Sequence, residues 1–191
     1  MEFKNRPNIA YEVGNKIIWV SRSVAVVGVI FIYKNLIPYV LVSRRGSKAQ
    51  DNQGKMNLVA GYLDWDETGF EGVIRETWEE TGFNLREYID EGDLLCNNLS
   101  QPWSVNTRPM ENNQNVSLRY GAVFQIGPDD DFPTLTTENN EVVGECEDPM
   151  WLSILDVDNY NWAFNHNRVI NEYYEYININ FPIRNTQSNF H

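Results

Sequence analysis

The stretch that decides the reading is Gly61-Tyr-Leu-Asp-Trp-Asp-Glu67-Thr-Gly-Phe-Glu-Gly-Val-Ile-Arg75-Glu76-Thr-Trp-Glu79-Glu80-Thr-Gly82-Phe83. Phe70, Val73, Ile74, Thr77 and Trp78 fall at i, i+3, i+4, i+7 and i+8, which gives a helix over 69–80 one mostly apolar face. Arg75, Glu76, Glu79 and Glu80 fall on the other side. Thr68 followed by Glu71 has the spacing of a capping box, and Gly82 stands where a helix end wants positive φ. The polar side carries a local cost: Glu76 faces like charge at i+3 and i+4, each pair destabilising a helix by roughly 0.2–0.5 kcal/mol. Arg75, one turn before Glu79, offsets that residue, but Glu76 and Glu80 have no such local partner. Two readings fit. One is a solvated acidic face, as most charge runs are; the other is a cluster of hard oxygen ligands for Mg²⁺ or Mn²⁺.

Outward from this helix the chain reads mostly as strands. Ile17 to Val20 and Val24 to Tyr33 are β-branched and aromatic. Tyr39 to Ser43, Asn57 to Tyr62, Asp93 to Leu99, Val116 to Ile126 and Met150 to Ile154 are further candidates. Arg44 to Lys55 is polar and basic and reads as loop, as does Gln101 to Asn115. Gly127-Pro128 before Asp129 to Asp131 marks a turn. Asn161 to Ile177 reads as a second helix, since its apolar residues recur mostly at spacings of three and four. The tail after Phe181, with a boundary near residue 179, is polar and Asn-rich. With no internal repeat and no linker, residues 1–191 are expected to form one domain. The fold class is α/β (α+β), helices packed on a mixed sheet.

The composition bounds the function. The chain has 191 residues, 42% of them hydrophobic, enough to fill a core. Its net charge of −12 argues against a nucleic-acid partner, because phosphate backbones are held by Lys and Arg. It leaves room for a phosphate substrate held through a metal. The first residues, Met-Glu-Phe-Lys-Asn-Arg-Pro, carry charges where a signal peptide needs an apolar stretch. The longest apolar run, Val24 to Ile32, is too short for a bilayer span of ~20 residues. A cytoplasmic protein with no membrane partner is therefore expected, with Cys96 and Cys146 reduced and buried.

The quoted segment reads G-x5-E-x7-R-E-U-x-E-E-x-G-U, which resembles the Nudix box, the signature of the Nudix hydrolases. Gly61, Glu67, Arg75, Glu76, Glu79, Glu80 and Gly82 match it; a chance match has odds on the order of one in a million at ordinary residue frequencies. Thr77 departs where the family usually has an aliphatic residue. Val59 and Ala60 stand where Pro-Gly is common, and Asp66 stands where Gly is common. The resemblance implies an α/β/α sandwich and a Mg²⁺- or Mn²⁺-dependent hydrolysis of a nucleoside diphosphate linked to another group. By motif position Glu76, Glu79 and Glu80 would hold the metal, with the backbone carbonyl of Ala60. Arg75 would orient the carboxylates, and Glu67 would brace Arg75 from behind. Glu145, in Gly144-Glu145 before Trp151, is the candidate for general base or extra ligand, with Glu141 second; a plain surface carboxylate is the alternative for both. His166 resembles a family position that is more often structural, and His191 reads as solvated.

The substrate is less legible. Ser100-Gln101-Pro102-Trp103 resembles the opening of a motif that marks NADH pyrophosphatases, but Ser104-Val105-Asn106 departs from its continuation. ADP-ribose, a nucleotide sugar or an NADH-like dinucleotide are the candidate substrates. Gln101 to Asn115 could serve as a lid, with Trp103 stacking on a base and Arg108 meeting phosphate. The alternative for Trp103 is a packed turn residue. Arg44, Arg45 and Lys55 could meet phosphates from the other side, or form a solvated basic loop. Two other classes compete with the hydrolase: a Nudix-fold nucleotide sensor without turnover, and an acidic interaction domain, which would leave the box spacing unexplained. A homodimer is compatible, through an interface strand between Tyr11 and Trp19; that segment could equally cover its own sheet edge.

Overall fold

The computed structural model describes residues 8–91, 94–109, 115–140 and 142–181. In chain order the strands and helices are β1 (Ile9–Val13), β2 (Lys16–Val20), β3 (Val24–Lys34), β4 (Ile37–Arg45), β5 (Met56–Asn57), β6 (Val59–Tyr62), α1 (Gly69–Thr81) and α2 (Leu85–Glu91). Then follow β7 (Leu94–Asn98), β8 (Ser104–Asn106), β9 (Val116–Gln125), β10 (Cys146–Ser153), a 3-10 turn over Ile154–Asn159 and α3 (His166–Asn180).

The main sheet runs β10-β4-β3-β9-β7, with β5 beside β4, β6 beside β3 and β8 beside β9. Only β3 and β9 pair in parallel; the other ladders are antiparallel, so the sheet is mixed. β3 explains the architecture. Val27, Val29, Phe31 and Tyr33 belong to one core, with Val169, Ile170, Tyr173 and Ile177 of α3. Val26, Ile30 and Ile32 belong to another, with Val73 of α1 and Leu85 of α2. Successive strand residues point to opposite faces, so helices cover both faces of the sheet. That two-sided cover is why Val24 to Tyr33 reads as an unbroken apolar run rather than an alternating one. Gly28 lets α1 approach, since a Cβ there would stand 3.1 Å from Val73 Cγ1.

Several sequence expectations change here. The stretch from 57 to 62 is two strands: Met56 and Asn57 pair with β4, then Val59 to Tyr62 pair with β3. The loop-like 101–115 contains β8, recruited by β9. α2 is too short for periodicity to reveal. The second helix begins at His166, because Asn161 to Ala163 first joins β5 through hydrogen bonds between Met56 and Asn161 and between Ala163 and Met56, both 2.9 Å. It continues to Asn180, so residues 179 and 180 are helix rather than tail. The rest of the tail, 182–191, lies outside the described residues. Both cysteines are free and buried. No helix among the described residues is long and apolar enough to cross a membrane.

β1 and β2 form a two-stranded sheet of their own. The alternative that this segment covers the main sheet's edge is therefore not the one realised.

Candidate active site

α1 carries the acidic residues, and its ends are fixed as the spacing predicts. The Thr68 hydroxyl accepts from the Glu71 backbone N–H at 3.3 Å, and the Glu71 carboxylate accepts from the Thr68 N–H at 2.8 Å. Gly82 ends the helix at φ 66°. The inward strip is the one read from the sequence except at its edge: Val73 and Thr77 are buried and Phe70 and Ile74 pack against the core, but Trp78 does not. Gly72, Val73, Thr77, Glu80 and Thr81 are buried, whereas Trp78 is 45% exposed. The helix rests on the sheet with Gly72, Val73, Thr77 and Thr81 at the centre of the contact, which leaves Trp78 in solvent and turns Glu80 inward. Thr77 fits that buried position because its hydroxyl donates to the Val73 carbonyl at 2.6 Å.

Glu80 is only 8% exposed, and burial, with the nearby charge of Glu76, holds its carboxyl well above the usual carboxylate range. The Cys146 thiol, the charge of Arg45 and the Ala60 backbone pull the other way. Oε2 has no hydrogen-bond partner among the described residues. Cys146 is itself pushed above its ordinary value, by burial first and then by Glu80.

Arg75 gathers the other carboxylates. It donates to Glu67 through Nε at 3.1 Å and Nη2 at 2.9 Å, to Glu76 at 2.8 Å and to Glu79 at 2.9 Å. It also reaches the Tyr62 carbonyl at 3.0 Å. Those hydrogen bonds hold Glu67 below the ordinary carboxylate value. Glu76 is pushed up to about 7 by burial, against the opposing pull of Arg75. Gly61 makes room for it, because a Cβ there would collide with the Glu76 carboxylate.

These groups open onto a cavity of about 400 Å³. Ala60, Gly61, Arg75, Glu76, Glu79, Glu80 and Glu145 form its acidic end. Glu145 is carried there because Gly46 and Lys48 donate to the carbonyls of Glu145 and Gly144, at 2.7 and 2.9 Å. Asn106, Arg108, Ser117 and Arg119 line another part of the wall, and Arg45, Phe164 and His166 complete it. Arg119, Asn106, Ser117 and Phe164 were not singled out from the sequence; a charged residue inside the largely apolar strand β9 was the available signal for Arg119. It is held by Glu172 of α3 at 3.0 Å.

Three expected groups lie elsewhere. Trp103 does not line the cavity: its ring packs on Tyr173 and Tyr176, with centroids 5.1 and 5.8 Å away. It is the packed turn residue, since β8 draws the segment against α3. Arg44 alternates to the other side of β4 from Arg45 and pairs with Asp148 at 3.3 Å, away from the cavity. Lys55 donates to Asn52 at 2.9 Å. Glu141, His191 and residues 110–114 of the expected lid lie outside the described residues.

Among the described residues no three His, Cys, Asp or Glu side chains already stand as a metal-ligating group. Glu76 and Glu79 instead face Arg75. The donor set still fits a hard divalent cation. It consists of carboxylate oxygens and a carbonyl, which suit Mg²⁺ or Mn²⁺. The buried, unpartnered Glu80 Oε2 is the kind of oxygen that such a cation would satisfy.

The NUDIX domain family model matches residues 22–173. The chain belongs to the Nudix hydrolase family. As a Nudix hydrolase it acts on phosphoric anhydride bonds. No curated protein sequence matches it. Among solved structures, the NUDIX domain of Shewanella oneidensis NrtR in complex with ADP ribose has a TM-score of 0.61 at 20% identity, over 83% of this chain and 90% of that one. A bifunctional NMN adenylyltransferase/ADP ribose pyrophosphatase from Francisella tularensis has a TM-score of 0.60 at 20% identity. There the match covers 81% of this chain but only 41% of the Francisella chain. A MutT protein from Methanosarcina mazei Go1 has a TM-score of 0.55 at 20% identity, covering 82% and 95%. At these identities the likeness shows the shared fold.

Proposed function

We propose that this Nudix hydrolase is a divalent-metal-dependent pyrophosphohydrolase that cleaves a nucleoside diphosphate linked to a second moiety, with ADP-ribose the leading candidate. The observation that carries it is the buried Glu80 carboxylate, with Oε2 unpartnered, at the acidic end of a cavity that also holds Arg45, Arg108 and Arg119. Glu76, Glu79, Glu80 and the Ala60 carbonyl would hold Mg²⁺ or Mn²⁺. A bound cation there supplies positive charge toward phosphate oxygens and makes a bound water more acidic. Arg75 keeps Glu76 and Glu79 beside Glu80 until they are needed, and Glu67 anchors Arg75. Glu145, which lines the same cavity, would accept a proton from the attacking water. Arg45, Arg108 and Arg119 in the same lining would neutralise the remaining phosphate charge, which would let a chain of charge −12 take an anion.

ADP-ribose is favoured because the NrtR NUDIX domain is complexed with ADP ribose and the Francisella protein is an ADP ribose pyrophosphatase. The NADH-like reading loses its support, since Trp103 packs in the core. NrtR has also been solved with a 27mer DNA, where the match covers 62% of that chain; the acidic surface of this chain supports a small-molecule partner instead.

The test is turnover with Mg²⁺ of ADP-ribose, nucleotide sugars, NADH and nucleoside triphosphates. Release of AMP from ADP-ribose by the native chain, lost in Glu79→Gln and Glu80→Gln, is the expected result. Nucleotide binding with no turnover of any compound overturns it in favour of a sensor.

We further propose that the β1–β2 hairpin joins two copies of the chain. Ile9, Tyr11, Val13, Ile17, Ile18, Trp19 and Val20 are each 48–65% exposed. The register places Ile9, Tyr11, Val13, Ile18 and Val20 on one face. A lone two-stranded ribbon is marginal in water. With one Glu and one Lys, the hairpin is also where a strongly acidic chain repels its copy least.

A further inference from the structure

His166 stands at a break in the sheet. The strand segment around Leu58 switches partners: Asn57 still pairs with β4, while Val59 already pairs with β3. Leu58 falls between the two ladders and is fully buried. Its N–H would be an orphan, which is costly inside a protein. It donates instead to Nδ1 of His166, at 2.9 Å.

The chain is built to deliver that ring. Asn161 to Ala163 is pinned to Met56, and then Phe164 and Asn165 both adopt left-handed conformations, at φ 56° and 57°. Such conformations are unfavourable for non-glycine residues, above all for an aromatic. They turn the backbone so that His166 opens α3 with its ring directed back at Leu58.

This bond fixes the ring's tautomer. A neutral imidazole that accepts at Nδ1 carries its proton on Nε2. Nε2 has no hydrogen-bond partner among the described residues, yet it is not sealed off. The sealed and unpartnered side-chain nitrogens and oxygens there are Glu80 Oε2 and Trp103 Nε1. His166 lines the cavity with Arg45 and Arg119, and the charges of both arginines act on its ring.

We propose that His166 is a substrate-contacting residue whose Nε2–H donates a hydrogen bond to a phosphate oxygen of the bound nucleoside diphosphate. This rests on the hydrolase reading above. His166 is a fixed donor and takes no part in proton transfer. Nε2 already carries its proton, and burial, with the charges of Arg119 and Arg45, pushes the ring's second protonation down to about 3. A donor held in place before the charge arrives needs no reorganisation.

Two substitutions separate this from a purely structural role. Asn at 166 keeps an acceptor near Nδ1 for the Leu58 N–H but reaches no further. His166→Asn should fold with a Tm close to the native one and lose turnover by about 100-fold, the scale of a lost anion-stabilising donor. Gln places an amide near Nε2 but abandons Leu58. His166→Gln should lose stability while keeping more of its turnover than His166→Asn. A folded His166→Asn variant with native kcat and KM would overturn the proposal and leave the hydrolase reading intact.

The second measurement needs no variant and no turnover. In the native chain, the His166 Nε2–H proton resonance should be visible and should move on adding α,β-methylene-ADP with Mg²⁺. A resonance that stays in place while the nucleotide demonstrably binds overturns the proposal, whether or not the chain hydrolyses any substrate.

Discussion

Arg75 grips Glu67 with two hydrogen bonds, Nε to Oε2 at 3.1 Å and Nη2 to Oε1 at 2.9 Å. The fork ties the loop before α1 to the helix two turns later, and the same guanidinium reaches Glu76 and Glu79. Glu67→Gln cannot accept both bonds as an anion does. The outer support of a metal site typically contributes 10–100-fold in affinity or activity. We expect Glu67→Gln to raise the Mg²⁺ concentration for half-maximal turnover by about tenfold or more. The Mg²⁺ dependence of the initial rate measures it, with circular dichroism to confirm an unchanged fold.

Glu80→Gln separates the metal role from a structural one. The buried acid has an oxygen without a partner, so an amide of the same shape should leave the Tm unchanged or raised when no metal is present. The native chain should gain stability from Mg²⁺, by about 2.7 kcal/mol at a concentration 100 times Kd. Thermal melts with and without Mg²⁺ should show an upward shift of several degrees for the native chain and little for the variant. An equal Mg²⁺ shift in both would place the cation elsewhere.

The capping box predicts a modest and local cost. Thr68→Ala removes the hydroxyl that accepts from Glu71. Such losses destabilise by about 1 kcal/mol. Urea denaturation should show a lower midpoint with an unchanged slope.

His166 makes stability depend on pH. Its folded value is about 3 against an ordinary 6.5. Between those values the unfolded chain binds a proton that the folded chain refuses. The contribution is fully present above about 6.5 and is lost as the pH falls toward 3, at up to about 1.4 kcal/mol per unit. Denaturation midpoints from pH 7 to pH 4.5 should fall more steeply for the native chain than for His166→Asn.

The hairpin predicts a concentration-dependent dimer. Ile18→Asp together with Tyr11→Asp places charges on one face of the β1–β2 ribbon. Sedimentation equilibrium should give twice the chain mass for the native protein and a monomer for the double variant. A native monomer at tens of micromolar would remove the hairpin as an interface.

The sequence by itself determined the helix over residues 69–80, its caps and the spacing of Glu67, Arg75, Glu76, Glu79 and Glu80. These are short-range properties, written in residues three, four and eight positions apart. It also determined the buried strand β3, because an apolar run bounded by turns has few other uses. It determined the inward side of α1 through Phe70, Val73, Ile74 and Thr77, but not where that side ends. The sheet takes Val73 and Thr77 at the centre of the contact, with Val73 close to Gly28, so Gly72 and Glu80 on one flank turn inward while Trp78 on the other is left in solvent. Nor could it place Trp103 and Arg44 outside the cavity or bring Arg119 into it. Those outcomes rest on pairings such as β3 with β9, some 92 positions apart in register. The clearest case is His166. Its ring sits in the cavity wall because a backbone N–H at Leu58 has no ladder partner, and only the folded sheet creates that vacancy 108 positions away.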